Sequence, residues 1–144
     1  MSIKYIDDST NIYIMKKYVD NVDFTNKKEL EVYLKKLFKI LKEKYLLTIE
    51  GFYDVCIYVD KYYGIVISLQ KEELDYYNYY KDEVDMKISI VESTFLYQID
   101  NFNHNGKIHI INNNMYLEIT SDISDKDMMN LIENSNNILY NYSK

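Results

Sequence analysis

Proline, tryptophan, alanine and arginine are all absent from this sequence, which carries one cysteine, Cys56, and three glycines. Each absence excludes something. Base-edge readout and bidentate phosphate recognition lean on the arginine fork, and there is none. The net charge of −6 also disfavours nucleic acid, because counterion release needs clustered cations. A single cysteine cannot build an intrachain disulfide framework. Gly51, Gly64 and Gly106 stand far apart, so no glycine-rich phosphate cradle is present. No apolar run reaches bilayer length, and the opening MSIKYIDD has neither a signal core nor a cleavage site. The expectation is a cytoplasmic chain with no membrane partner.

What is there is mostly Ile, Asn, Lys and Tyr, a usage that matches AT-biased coding. The 17 tyrosines are therefore less informative by number than by clustering. Hydrophobic residues make up 47% and charged residues 28%, a globular balance. The length of 144 residues predicts one domain over 1–144, large enough to bury a core.

Alternation in Ile3–Ile6 and Asn11–Tyr18 predicts a strand pair. Asn26 or Thr25 caps a helix, with Glu29 three residues after Asn26. Leu30, Leu34, Leu37, Phe38, Leu41 and Tyr45 form its apolar stripe. Phe52–Val59 reads as a strand with Tyr53, Val55, Ile57 and Val59 on one face. A turn over Asp60–Gly64 leads into Ile65–Leu69. Met86–Val91 alternates again, with Met86, Ile88 and Ile90 together. Phe95–Ile99, Lys107–Ile111 and Met115–Thr120 continue as a meander, with turns at Asn105-Gly106 and Asn112-Asn113-Asn114. Ser124, with Asp127 three residues on, caps a last helix that carries Met128, Leu131, Ile132, Ile138 and Leu139 inward. The fold class is α+β: two layers, a mostly antiparallel sheet, one long helix in the N-terminal half and one C-terminal helix, in the order β-β-α-β-β-β-β-β-β-α.

No catalytic constellation emerges. His104 and His109, the two imidazoles, flank the Asn105-Gly106 turn, and Cys56 sits mid-strand among apolar neighbours, where it reads as a small hydrophobe. These histidines and Asp100 suggest at most a weak metal site across a hairpin; HExxH, CxxC and calcium-loop motifs are absent. Glu72, Glu73 and Asp75, with Asp82, Glu83 and Asp85, read as solvated acids rather than an acid–base pair. No catalytic residue, metal or cofactor is expected.

Charge is unevenly placed. Lys27, Lys28, Lys35, Lys36, Lys39, Lys42 and Lys44 face only Glu29, Glu31 and Glu43 within 26–45. Lys28, Lys35, Lys39 and Lys42 share the helical face opposite the apolar stripe. The segment KEELDYYNYYKDEVD, 71–85, is acidic and sets Tyr76, Tyr77, Tyr79 and Tyr80 within five positions. In a helix these four span an arc of roughly 160°, wider than a core-facing stripe. In a strand they divide between two faces. Some are therefore left exposed, and tyrosines with a polar rim have the composition of an interaction hot spot.

IKYIDDSTNIYI, the helix with ELEVYLKKLFKIL, and IEGFYDVCIYVDKYYGIVIS resemble the first domain of MecA-type adaptors of Clp protease machinery. FLYQIDNF, KIHIINNNMYLEI and the helix from Asp125 resemble parts of that family's Clp-binding domain. The long acidic linker between the family's domains and its final elements are missing here. The resemblance implies an adaptor and assigns no binding residue.

The expected function is a non-enzymatic cytoplasmic protein–protein interaction module, an adaptor or regulator. Its contacts would be Tyr76, Tyr77, Tyr79, Tyr80, Lys35, Lys39 and Lys42, and its partner another protein or a second copy. The alternatives are a small ligand-binding domain or enzyme with a tyrosine-lined pocket, and a structural subunit of a viral or mobile-element assembly.

Overall fold

The computed structural model describes residues 1–6, 9–19, 21–49, 51–72, 84–100 and 105–141. Tyr76, Tyr77, Tyr79, Tyr80 and His104 lie outside them. The chain forms β1 (Ser2–Ile6), β2 (Ser9–Met15), a 3-10 turn at Lys16–Tyr18, α1 (Lys27–Tyr45), β3 (Gly51–Asp60) and β4 (Gly64–Glu72). It continues through β5 (Val84–Glu92), β6 (Leu96–Gln98), β7 (Lys107–Ile111), β8 (Asn114–Glu118), α2 (Asp125–Asn134) and β9 (Asn137–Leu139). The α+β architecture of helices on mostly antiparallel sheet is the expected one. Its strands divide between two sheets, ordered β1-β2-β4-β3-β5 and β7-β8-β6-β9.

Helix α1 begins where the side chain of Asn26 accepts the Glu29 N–H at 3.2 Å, relieving one of the donors every helix start leaves unpaired. Leu30, Leu34, Leu37, Phe38 and Leu41 recur at helical spacing and are buried. Each contributes about 1.5–3 kcal/mol through burial. They pack on one face of the first sheet, against Ile12 and Ile14 of β2, Tyr53, Val55 and Ile57 of β3, and Ile65, Ile67 and Leu69 of β4. Tyr45, expected on this stripe, is 48% exposed. It is the helix's last residue, and the chain turns away from it through Leu46 in the left-handed conformation.

The Asp60–Gly64 turn forms as read. Gly64 has φ 129°, and a Cβ there would collide with the backbone of Ile14–Lys16. Glycine is what lets β4 pass that close to the end of β2. Strand β5 pairs parallel to β3 instead of with a sequence neighbour. Glu72 is paired with Phe52, and Val84 with Gly51. Glu72 and Val84 thus flank β3 at one end of the sheet.

A second core lies on the sheet's other face. Tyr13 and Val66 from the first sheet and Tyr63 from the β3–β4 turn meet Phe95, Tyr97, Ile99, Leu117, Ile119 and Ile138 around the second sheet, with Met128 and Leu131 of α2. Two expectations are corrected here. Asn105-Gly106 does not turn a β6–β7 hairpin; β6 pairs with β8 and β9, and β7 pairs with β8. Gly106 instead lies against the Glu118 backbone, where no Cβ fits. Helix α2 stops at Asn134, so Ile138 and Leu139 belong to β9 rather than to the helix. The Asn-Ser-Asn-Asn run over 134–137 offers the backbone side-chain partners that compete with helix, and the open edge of β6 takes up the strand. The Asn112-Asn113 turn forms as expected, with φ 51° and 67°, and Ser124 caps α2 by accepting the Asp127 N–H at 3.1 Å.

Candidate functional site: the outer face of the first helix

Helical geometry at 100° per residue sets the face opposite the leucine stripe. Lys28, Lys35, Lys36 and Lys39 project there, all exposed. Val32 lies in their midst, three and four residues from Lys35 and Lys36 and four from Lys28, and it is 52% exposed. Ile40, four residues beyond Lys36, is 40% exposed. Val32 thus sits inside a rim of ammonium groups on the outer side of a packed helix, with Ile40 at the flank beyond Lys36. Among the described residues no carboxylate pairs with Lys35 or Lys39. Lys42, also exposed, lies on the flank of this face. The structure therefore brings Lys35, Lys39 and Lys42 together on one surface. The four tyrosines expected to share the binding role lie outside the described residues.

Val32 and Ile40 were missed because they fall off the apolar stripe. The signal was present: β-branched residues on the polar face of an amphipathic helix gain nothing from the core and lower helix propensity.

The tyrosines that do converge are others, gathered where the two sheets meet. The Tyr140 ring stands 6.0 Å from Tyr13 and 5.1 Å from Tyr58, and Phe95 lies 5.3 Å from Tyr63. Burial pushes the phenols of Tyr13 and Tyr58 up to about 12. Burial likewise drives Tyr63 and Tyr97 upward, with the Asp60 carboxylate adding to the effect at Tyr97. Cys56, the thiol expected to be a buried hydrophobe, is half-buried on the same face of β3 as Tyr58. These hydroxyls hold their protons, so at neutral pH they serve as donors and not as bases. Tyr97 is 1% exposed, and its hydroxyl has no hydrogen-bond partner among the described residues.

Asp60 organises this junction. Its Oδ2 accepts the N–H groups of Tyr62 at 2.9 Å and Tyr63 at 2.8 Å, and its Oδ1 accepts that of Phe95 at 2.9 Å. A buried carboxylate with three backbone donors is a structural fastener, holding the β3–β4 turn and the entry into β6 together. His109 on β7 meets Glu118 on β8 at 2.8 Å, while Asp100 is approached by the Asn136 amide. Among the described residues no three His, Cys, Asp or Glu side chains converge to hold a metal. No helix of the described chain is long and apolar enough to cross a membrane. No protein-family model, curated protein or solved structure matches the chain.

Proposed function

We propose that the chain is a non-enzymatic protein–protein interaction module, an adaptor or regulator, that docks an acidic partner surface on the outer face of α1. The reading is carried by one observation: Val32, half exposed, is set among Lys28, Lys35, Lys36 and Lys39 on the face turned away from the core, with the partly exposed Ile40 on its flank. An apolar centre desolvated within a charged rim is how interfaces divide affinity from steering. Lys35, Lys39 and Lys42 steer; Val32 supplies the central buried contact, with Ile40 at its margin. Tyr76, Tyr77, Tyr79 and Tyr80 are kept as a second contact on composition alone.

The test is binding of a fluorescein-labelled acidic, tyrosine-bearing peptide with the sequence of 71–85, together with recovery of protein partners from the native cell. Lys35→Glu with Lys39→Glu is expected to weaken both about tenfold or more, as opposed charges at a rim become like charges. Val32→Ser is expected to weaken binding without changing its salt dependence. Both variants should keep the parent's thermal midpoint, since these side chains are solvated. Partner recovery and peptide affinity unchanged in the charge-reversed variant would reject this face.

A further inference from the structure

Strand β5 closes one edge of the first sheet, and its composition does not protect that edge. Natural edge strands are kept short, charged or covered, because their outward amide groups template pairing with another chain. At the opposite edge, β1 spans five residues. β5 runs for nine, and among the described residues no strand pairs with its outer side. Ile90 and Val91 are each 41% exposed, and Met86 and Ile88 are only partly covered at the margin of the α1-side core. Between Met86 and Val91 the single charge is Lys87.

We propose that β5 is an isologous dimer interface, pairing antiparallel with β5 of a second copy about a two-fold axis through Ile88. The occupant follows from register. In an antiparallel pair, opposed residues share a face, so two-fold pairing allows only centres one residue apart. Centring on Lys87 sets two ammonium groups directly opposite each other, which is destabilising. Centring on Ser89 brings Glu92 opposite Met86, inside the apolar row, whereas centring on Ile88 moves Glu92 out to the strand end. Centring on Ile88 sets Ile88 against its own copy and Met86 against Ile90 twice. All six lie on the α1 side, continuous with the first core. On the other face Lys87 meets Ser89, and no like charges are opposed. The two five-stranded sheets become one continuous sheet. This pairing does not involve the outer face of α1, so its failure leaves the function proposed above standing.

Cross-strand geometry supplies the test. Directly opposed residues have Cα atoms about 4.5–5.5 Å apart, within disulfide range, whereas diagonal neighbours lie roughly 7–8 Å apart, beyond it. In a Cys56→Ser background, Ile88→Cys is expected to form a covalent dimer under mild oxidation, and Ser89→Cys is not. Sedimentation of the unmodified chain at roughly 100 μM, where a low-micromolar Kd leaves little monomer, should give twice 17.4 kDa. Ile90→Lys, at an exposed position that leaves the fold intact, should raise the dimer Kd at least tenfold. A monomer at that concentration overturns the proposal. So does a dimer Kd left unchanged by Ile90→Lys, or equal cross-linking at 88 and 89, since either places the contact elsewhere.

Discussion

The hydroxyl of Tyr140 donates to the side-chain oxygen of Asn11 at 2.9 Å, joining residues 129 positions apart. Asn11 is fully buried on β2, and its amide nitrogen is occupied by the Ser9 hydroxyl at 3.2 Å. The Tyr140 carbonyl in turn accepts the hydroxyl of Ser93. One residue after β9 therefore fastens the end of the chain to the first sheet by its backbone, ring and hydroxyl together. Tyr140→Phe keeps the ring contacts but strands the Asn11 oxygen in the interior. The expected loss is about 1–2 kcal/mol. Tyr140→Ala removes the ring as well and should cost about 3–5 kcal/mol. Urea denaturation of both variants checks the order; an unchanged Tyr140→Phe would show that the hydroxyl carries nothing, and equal losses that the ring adds nothing to it.

Asp60 makes a sharper case, because three backbone donors depend on one carboxylate. Asp60→Ala leaves the N–H groups of Tyr62, Tyr63 and Phe95 without that acceptor. At roughly 1 kcal/mol per stranded donor, the expected loss is about 3 kcal/mol. Asp60→Asn retains one carbonyl oxygen and should fall between the two. The amide protons of Tyr63 and Phe95 are the readout beyond stability: both should exchange with solvent much faster in Asp60→Ala.

The opposite sign is expected at Leu46. It holds φ 55° at the end of α1 with 89% of its surface exposed. A left-handed conformation costs a side-chain-bearing residue about 1–2 kcal/mol, and here little burial offsets it. Glycine is indifferent to the sign of φ but loses more freedom on folding, by roughly 0.5–1 kcal/mol. Leu46→Gly should therefore stabilise the chain slightly, by about 0.5 kcal/mol, read as a higher urea midpoint at unchanged slope. A lower midpoint would mean that Leu46 makes contacts its exposure does not suggest.

The parts of this fold that sequence anticipates are those decided within a few residues. The Asn26 cap, the leucine stripe of α1, the Asp60–Gly64 turn and the Asn112-Asn113 turn each follow from local chemistry. Pairings across the chain do not. Nothing in residues 84–92 says that β5 should pair parallel to β3, and nothing in Asn137–Leu139 says that a three-residue strand will leave α2 for β6. The junction tyrosines illustrate the same limit. Tyr13, Tyr58, Tyr63, Tyr97 and Tyr140 are scattered in sequence, and only the approach of two sheets gathers them. The eye is drawn instead to the clustered Tyr76–Tyr80 run. On α1 the lysine face was legible from helical spacing, while Val32 and Ile40 were hidden by a search for hydrophobic residues on the core side alone.

Alkaline titration tests the junction directly. Burial raises the phenols of Tyr13 and Tyr58 to about 12 and pushes Tyr63 and Tyr97 upward too, against about 10 in an unfolded chain. Above pH 10 the folded state therefore holds more protons than the unfolded state, and stability must fall as pH rises. Their contribution is complete below pH 10 and is progressively lost through about pH 12. Phenolate absorbance followed together with far-ultraviolet circular dichroism should show a late group of tyrosines ionising in step with loss of structure. Tyr13→Phe and Tyr58→Phe remove two of these groups and should shift alkaline unfolding to higher pH. Full ionisation of all tyrosines before the secondary structure melts would mean that the junction is open to water.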